Sequence, residues 1–331
     1  MAVKIGMNGF GRIGRYMARL LADEKDLVLT QVNARAGNEN LAHLLKYDSV
    51  FGRAPFSVEA NNDGMVINGE QVRVTRHAPG EWQWDDVDIV LETTGKFKDR
   101  KSCEQHMAGG AQSVLISAPA SEADIMIVMG VNDGDYKPGE HKILSNASCT
   151  TNCLAPVAKT VHDAFGIRHG LMLTIHSYTM SQRILDGSHK DLRRGRAAAM
   201  SMIPTTTGAA KAVGKVIPAL KGKLDGMAVR VPTPNSSLVD LTVELEKPTS
   251  IEELNGVLRA ASEGALKGIM GYTTEPLVSI DFVGSTCGGT VDSLCTQVMG
   301  GTQAKLIVWY DNEAGFSNQF LRLLKMVAAS R

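Results

Sequence analysis

Short apolar runs alternate with helical apolar spacings along the first half of the chain. The runs predict strands, and the spaced apolar positions predict helices. The predicted strands are Val3–Met7, Val28–Val32, Ile89–Leu91 and Val114–Ile116, and a helix is predicted over Ile13–Ala22. Strands that alternate with helices in this way pair in parallel and are covered by helices on both faces. This half of the chain therefore predicts a doubly wound parallel sheet.

After residue 148 the pattern changes to longer runs in which apolar and polar residues alternate. Such alternation is typical of strands with one buried face. The predicted strands are Gly170–His176, Met227–Val231, Leu238–Leu245 and Lys305–Trp309, with helices over Leu154–His162, Thr207–Val216 and Ile251–Ala261. A last amphipathic helix over Asn318–Ala329 is spaced to pack back onto the first domain. The second half thus predicts an α+β domain with a mostly antiparallel sheet.

Composition narrows the class of protein. With 35 basic and 35 acidic residues, no overall field attracts the chain to nucleic acid or to an anionic membrane. No apolar stretch approaches the roughly 20 residues of a membrane span. The start, Met1–Ile5, runs directly into an apolar segment without the pattern of a leader. We therefore expect a cytoplasmic protein that binds neither nucleic acid nor a membrane.

The cysteines are odd in number, sparse and without the spacing of metal ligands, so we expect reduced thiols, one of them reactive, and no metal site. The five are Cys103, Cys149, Cys153, Cys287 and Cys295.

A glycine-rich turn links the first strand to the first helix. The turn contains Gly9, Phe10, Gly11, Arg12, Ile13 and Gly14. Between a strand and a helix, such glycines allow a tight turn and bring a pyrophosphate to the helix N-terminus, although glycine-rich turns also occur for purely structural reasons. At the end of the second strand, where an acidic residue would hold the ribose hydroxyls, the chain has Ala34 and Arg35. An arginine there favours a 2′-phosphate and predicts NADP over NAD, unless Arg35 is only a solvated loop residue.

The segment around Cys149 precedes a predicted helix. At a helix N-terminus the free N–H groups and the dipole stabilise a thiolate, so we expect a lowered thiol pKa and a nucleophile, with Cys153 as a buried structural companion. His176 ends a predicted strand and suits a general base. Each residue alone is more often structural. Together they predict a reactive thiol site. The element patterns of the two halves predict an α/β protein with a Rossmann-type domain in 1–148, completed by a C-terminal helix in 313–331, and an α+β catalytic domain in 149–312.

Several separated segments, in order along the whole chain, resemble the phosphorylating members of the glyceraldehyde-3-phosphate dehydrogenase family. The segments are Ile5–Arg15, Ala147–Asn152, His176–Thr179, His189–Arg194, Pro204–Lys211, Arg230–Asn235 and Trp309–Glu313. The resemblance implies that Cys149 attacks the aldehyde, that His176 takes its proton, that hydride passes to a nicotinamide, and that inorganic phosphate opens the thioester. It also implies a homotetramer.

The resemblance further assigns binding residues, although the arginines among them would otherwise be read as surface ion pairs. Thr179, Arg194 and Arg230 would hold the substrate phosphate, while Ser148, Thr150, Thr207 and Gly208 would hold the attacking phosphate. Phe10, Gly11, Arg12 and Ile13 would lie on the pyrophosphate, Arg76 and Gly95 on the adenine side, Ser117 near the nicotinamide ribose, and Asn312 on the carboxamide.

The chain departs from the family pattern at a few positions. Gly187-Ser188 replaces the leucine and proline of NAD-using members, in a loop that reaches a neighbouring subunit's adenosine ribose, and again favours NADP. Met180-Ser181 replaces an Asn-Asp pair, Ala314 stands where an aromatic residue is usual, and Phe316 replaces a tyrosine. A ring lost at 314 would leave space near the nicotinamide and weaken positioning. The alternatives that stay open are an erythrose-4-phosphate dehydrogenase, an arsenate-using paralogue and a catalytically reduced regulatory paralogue.

Overall fold

The computed structural model describes residues 2–331. Met1, the first residue of the predicted domain 1–148, lies outside the described residues. The chain forms two compact units. The first unit runs to Ile127 and adds Asp135–Ala147 and Phe320–Arg331; the second comprises Val128–Gly134 and Ser148–Gln319. The division into a dinucleotide-binding domain, 1–148 with the helix in 313–331, and a catalytic domain, 149–312, stays a prediction.

The first unit is built on a parallel-rich sheet. Its strands are β1 Val3–Asn8, β2 Leu27–Asn33, β3 Tyr47–Asp48, β4 Gly52–Arg53, β5 Val58–Ala60, β6 Gly64–Ile67, β7 Glu70–Thr75, β8 Ile89–Glu92, β9 Ser113–Ile116, β10 Ile125–Met126 and β11 Ile143–Ser145. Nine strands pair in the order β10-β11-β9-β8-β1-β2-β7-β6-β5, and β3 pairs with β4 separately. Only the β5–β6–β7 end of the large sheet is antiparallel.

Its helices are α1 Arg12–Leu21, α2 Asn38–Lys46 and α3 Arg100–Ala108. The turn from β1 into α1 requires glycine, since Gly9 has a φ of +96° and a Cβ on Gly14 would lie 2.6 Å from the Gly9 carbonyl oxygen. The strands β1 and β8 carry fully buried side chains such as Ile5, Met7 and Leu91. The continuous apolar runs of the sequence thus become the strands of a sheet buried on both faces.

The second unit contains a mostly antiparallel sheet. Its strands are β12 Ile167–Ser177, β13 Ile203–Thr206, β14 Leu224–Val231, β15 Ser237–Leu245, β16 Met270–Thr273, β17 Gly289–Met299 and β18 Gln303–Tyr310. They pair in the order β13-β14-β12-β15-β18-β17-β16, with β12–β14 and β16–β17 parallel and the other pairs antiparallel. Buried and partly buried residues alternate strictly along β15. The predicted fold class is confirmed by both sheets.

The remaining helices are α4 Cys149–Phe165, α5 Ala209–Val216, α6 Ile251–Glu263 and α7 Ala314–Ala329. The last begins at Ala314 rather than at the predicted Asn318, because the Asp311 carboxylate accepts hydrogen bonds from the backbone N–H groups of Glu313 and Ala314. Helix α7 passes from the second unit into the first. No helix within residues 2–331 combines the length and hydropathy needed to cross a bilayer.

Candidate active site

Cys149 is the first residue of α4. Ser148 caps this helix, since its hydroxyl accepts a hydrogen bond from the Thr151 backbone N–H at 3.0 Å. His176 lies near the end of β12, and its Nε2 is 3.5 Å from the Cys149 Sγ. The structure therefore brings together the two residues that the sequence predicts as nucleophile and base.

The hydrogen bonds of His176 fix its proton. Its Nδ1 lies 2.7 Å from the carbonyl oxygen of Ser177, which only accepts, so Nδ1 carries the hydrogen. Arg230 Nη1 is 2.8 Å from the same Nδ1 and 3.0 Å from the same carbonyl oxygen. The Ser177 carbonyl oxygen can accept from both Nδ1–H and Nη1–H, and we assign the hydrogen to Nδ1 because its contact with this oxygen is the shorter of its two contacts. The lone pair of His176 Nε2 then faces the thiol.

The electrostatics of this pair differ from the sequence expectation. Burial and the charge of Arg230 lower the pKa of His176 to about 3, so the imidazole is neutral at pH 7. Burial raises the pKa of the Cys149 thiol, outweighing the lowering by Arg230 and by hydrogen bonds to Thr150. The expectation of a lowered thiol pKa was wrong, because desolvation exceeds the effect of the helix terminus. A neutral thiol faces a neutral base.

Arg230 lies against this pair, with its Nη1 2.8 Å from His176 Nδ1. Its strand β14 lies beside β12 with Arg230 in register with His176. Burial lowers the pKa of the Arg230 guanidinium, and the charge of Arg194 lowers it further. Arg194 donates through Nε to the Thr205 hydroxyl at 2.7 Å, and its Nε is 3.5 Å from the Asp191 carboxylate. Two arginines near each other are suited to hold an anion.

The predicted hydroxyl donors lie on elements of the same unit. Thr207 accepts a hydrogen bond from the Ala209 backbone N–H, and Gly208 is the residue before α5, so both stand at that helix's N-terminus. The Thr179 hydroxyl is 3.0 Å from that of Ser181. The Ser148 hydroxyl, which caps α4, is also 2.7 Å from the Thr151 hydroxyl.

The sequence reasoning missed Tyr310. This side chain is 1% exposed, and its hydroxyl is 2.9 Å from the Thr150 hydroxyl and 2.8 Å from that of Thr174. Its ring packs edge-on against His176, with centroids 5.9 Å apart. Tyr310 holds Thr150 in place beside Cys149. A signal was present in the strand predicted over Lys305–Trp309, because its alternation, continued by one residue, turns the Tyr310 ring into the core.

Two serines orient Asn312. Its Oδ1 accepts hydrogen bonds from Ser177 Oγ at 2.8 Å and from Ser237 Oγ at 2.9 Å. The Ser237 hydroxyl in turn accepts from the Ser177 backbone N–H. Because Oδ1 is committed to the serines, the amide Nδ2 hydrogens are directed away from them. The sequence indicated Asn312 but neither serine.

The departures from the family pattern fall in different environments. Met180 is 89% exposed and Ser181 is exposed as well. The expected space beside residue 314 is not accessible from solvent, because Ala314 is fully buried in the first turn of α7 and Phe316 is buried two residues on. Ser188 is exposed, and its carbonyl oxygen accepts two hydrogen bonds from Arg183.

In the first unit, a cavity of about 360 Å³ opens at the carboxyl ends of β1 and β2. Predicted cofactor residues among its lining are Gly9, Phe10, Gly11, Ala34, Arg35 and Arg76. Ile13, Gly14, Gly95 and Ser117 do not line it, and the Arg12 guanidinium turns to Asp48, 2.5 Å away. Arg76 donates to the Ala36 carbonyl oxygen and to Asn38, whereas Arg35 is exposed and has no hydrogen-bond or salt-bridge partner within residues 2–331.

The parallel sheet with its glycine-rich turn and the cysteine–histidine pair define a class, the two-unit α/β proteins that carry a dinucleotide-binding sheet and a thiol site. Residues 3–100 match the glyceraldehyde 3-phosphate dehydrogenase NAD binding domain, and residues 148–312 match the C-terminal domain of the same family. The chain belongs to the glyceraldehyde-3-phosphate dehydrogenase family.

Named relatives match over nearly the whole chain. The glyceraldehyde-3-phosphate dehydrogenase of Geobacillus stearothermophilus is 54% identical over 332 residues, which cover 99% of each chain. Glyceraldehyde-3-phosphate dehydrogenase 1 of Bacillus cereus is 53% identical over 323 residues, covering 97% of each. The Streptomyces coelicolor protein is 49% identical, again over 99% of each chain.

Replacing Arg230 with glutamine tests the electrostatics of the thiol. The positive charge of Arg230 lowers the pKa of Cys149, so its removal is expected to raise that pKa and to shift thiol alkylation by iodoacetamide to higher pH. Alkylation at pH 7 falls several-fold, and the deficit disappears at alkaline pH. The same substitution at exposed Arg168 is the control. An unchanged pH profile for Arg230→Gln would show that the guanidinium does not act on the thiol.

Proposed function

We propose that this protein oxidises D-glyceraldehyde 3-phosphate to 1,3-bisphosphoglycerate, with inorganic phosphate as second substrate and NADP preferred over NAD. The observation that carries the proposal is the Cys149 Sγ, which lies 3.5 Å from a neutral His176 Nε2 beside Arg230. Family membership and the names of the relatives support the same reaction. Central carbon metabolism, as glycolysis or gluconeogenesis, is the setting we propose.

Cys149 and His176 would perform the covalent steps. As Sγ attacks the aldehyde carbon, its proton passes to the Nε2 lone pair, and Nδ1–H remains bonded to the Ser177 carbonyl oxygen. The nicotinamide cofactor, when bound, supplies the hydride acceptor. The Nε2–H of His176 then donates a hydrogen bond to the oxyanion formed from the aldehyde oxygen. When hydride leaves the carbon, that oxygen becomes the thioester carbonyl, and the proton stays on His176 until the thiolate takes it back. A thioester on Cys149 results, and phosphate displaces the thiolate to release the acyl phosphate.

The anion sites would divide between two groups of residues. We propose that Thr179, Arg194 and Arg230 hold the phosphate of the aldehyde. Ser148, Thr150, Thr207 and Gly208 would hold the attacking phosphate, with Tyr310 fixing the Thr150 hydroxyl. The free N–H groups at the start of α5 would contribute to the second site, since a helix N-terminus attracts anions.

The residues of the first unit fit a dinucleotide. Gly11 lines the cavity, and no atom lies within 4 Å of the position that a Cβ on it would take, so a pyrophosphate can approach this backbone where a side chain would stand in its way. We propose that Gly9 to Gly14 face the pyrophosphate, that Arg76 and Gly95 serve the adenine side and Ser117 the nicotinamide ribose. Asn312, whose Nδ2 hydrogens are directed away from the serines, would hold the carboxamide.

The NADP preference rests on Arg35, which lines the cavity, is exposed and has no partner within the described residues. Replacing Arg35 with alanine is expected to lower kcat/KM for NADP by about ten-fold or more, the value of a charge-assisted hydrogen bond to a phosphate, and to leave NAD unchanged. Initial rates with each cofactor measure this, and exposed Arg53→Ala in the same unit is the control. Equal losses with both cofactors would count against a 2′-phosphate contact.

We also propose a cytoplasmic homotetramer whose 1–148 and 149–312 domains divide cofactor binding and catalysis. Exposed apolar side chains in one loop support self-association, among them Ile184, Leu185, Leu192, Met200 and Met202. Ser188 lies in this loop, so a neighbouring copy would bring it to the adenosine ribose. Light scattering of the purified protein determines the number of copies.

The proposal is tested by initial rates of glyceraldehyde 3-phosphate oxidation with both cofactors, with and without phosphate. We expect phosphate-dependent turnover and higher kcat/KM with NADP. Erythrose 4-phosphate is the competing substrate, and phosphate-independent turnover with it would replace the proposal. A preference for NAD would remove only the cofactor assignment. Absence of turnover with every substrate would favour a regulatory paralogue.

A further inference from the structure

Glu92 is a buried carboxylate in the first unit that the proposed mechanism does not use. It is fully buried at the end of β8 and accepts four hydrogen bonds. Oε1 accepts from the backbone N–H of Thr94 at 2.8 Å and from the Thr94 hydroxyl. Oε2 accepts from Asn8 Nδ2 at 2.6 Å and lies 3.2 Å from His106 Nε2. Four donors are the complement of an ionised carboxylate.

The proton of His106 is fixed from its far side. Trp84 Nε1 lies 3.1 Å from His106 Nδ1. An indole N–H only donates, so Nδ1 must accept and Nε2 must carry the hydrogen that points to Glu92. Trp82 stacks on the imidazole at 3.9 Å and holds its plane. His106 Nε2–H therefore donates to Glu92 Oε2.

The hydrogen bond from Asn8 to Glu92 determines how two amides in the cavity wall are oriented. Because Asn8 Nδ2 donates to Glu92, Asn8 Oδ1 faces Asn33 and accepts from its Nδ2 at 2.9 Å. Asn33 Oδ1 then accepts from the Thr75 hydroxyl at 3.1 Å and from the His77 backbone N–H at 2.9 Å. Asn8, Asn33, His77 and Thr94 all line the cavity.

We infer that Glu92 is a positioning residue for the dinucleotide: its acceptor-only carboxylate sets the direction of the Asn8 amide, of the Asn33 amide through Asn8, and of the Thr94 hydroxyl in the cavity wall. The inference rests on the proposed cofactor role of this cavity. A carboxylate is required there, because both oxygens face donors. A glutamine would direct its NH₂ group either at Thr94 or at Asn8 and His106, and two donors would oppose each other.

The test is the dissociation constant (Kd) of NADP⁺ and of NAD⁺ for Glu92→Gln, measured by fluorescence titration of the full-length protein. We expect Kd to rise about ten-fold or more for both dinucleotides, as for other residues that act through a ligand's neighbours. At saturating cofactor kcat stays within about two-fold of the native value, and alkylation of Cys149 is unchanged. This split distinguishes positioning from general loss of structure.

Asp292→Asn is the matched control, since Asp292 is a buried carboxylate of the second unit that accepts from Trp309 Nε1 and the Leu294 N–H. Its Kd values should stay native. Should Glu92→Gln fail to fold, Trp84→Phe removes the donor that fixes His106, lies outside the cavity lining, and is expected to raise Kd by about three-fold.

An unchanged Kd in a folded Glu92→Gln protein overturns the inference, as does an unchanged Kd in Trp84→Phe when that variant is used. An equal rise of Kd in Asp292→Asn also overturns it. None of these results affects the proposed cofactor role of the cavity. If the native protein binds neither dinucleotide, the proposed cofactor role fails and the inference falls with it.

Discussion

Replacing Cys149 with serine is expected to lower kcat for phosphorylating oxidation by about 10⁴-fold or more. A serine hydroxyl preserves the hydrogen bond to His176 but is a far weaker nucleophile, and an ester releases its alkoxide to phosphate much less readily than a thioester releases its thiolate. The first effect slows attack on the aldehyde and the second slows attack by phosphate. Steady-state rates at saturating substrates measure the loss, and thermal unfolding establishes that the variant is folded.

Cys295→Ser is the control for this variant, because Cys295 is an exposed free thiol. Its turnover should equal that of the native protein, and thiol labelling should still detect Cys149. A Cys149→Ser protein that keeps more than about one hundredth of native turnover would be incompatible with a covalent thioester at this residue.

His176→Asn is expected to lower kcat by about 10²–10⁴-fold, the usual contribution of a positioned base. At pH 7 the native imidazole is neutral, since its pKa is lowered to about 3, and it faces a thiol whose pKa is raised. Without it, the thiolate forms only through solvent. The deficit should therefore shrink as pH rises, because hydroxide increasingly removes the thiol proton.

His169→Asn provides the control, as His169 is an exposed residue of the same strand. Rates of the three proteins across pH 6 to 9.5 give the comparison. A loss of activity in His176→Asn that is constant across this range would indicate that His176 only positions groups and does not accept the proton.

Much of the fold follows from local patterns. The alternation along Leu238–Leu245 predicts a half-buried strand, and β15 is that strand. The glycine spacing between Gly9 and Gly14 predicts a turn whose geometry indeed excludes side chains. The start of α7 was placed too late, because the Asp311 side chain caps the helix before the apolar spacing begins. Periodicity reports burial, whereas helix ends are set by capping.

The environment of the site was less predictable. Cys149 and His176 are brought together by the packing of α4 against the sheet, and sequence spacing alone does not encode that distance. Ser177 and Ser237 orient Asn312 only because β12, β15 and β18 are neighbours in one sheet. The thiol pKa was predicted in the wrong direction because the helix terminus is a local feature, while desolvation depends on the whole surrounding unit.

The buried cluster around Glu92 shows the same limit in the first unit. Its donors come from Asn8, Thr94 and His106, which lie far apart in the sequence or in separate elements. None of the three carries a motif. Asn8 reaches Glu92 because β1 pairs with β8, and His106 reaches it from α3.

The most direct test of the account is intact-protein and peptide mass spectrometry after mixing the native protein with glyceraldehyde 3-phosphate and cofactor in the absence of phosphate. The account predicts one equivalent of reduced cofactor per site, an acyl adduct confined to the peptide that contains Cys149, and loss of that adduct with release of acyl phosphate when phosphate is added. Reduced cofactor formed without any adduct, or an adduct on another residue, would contradict it.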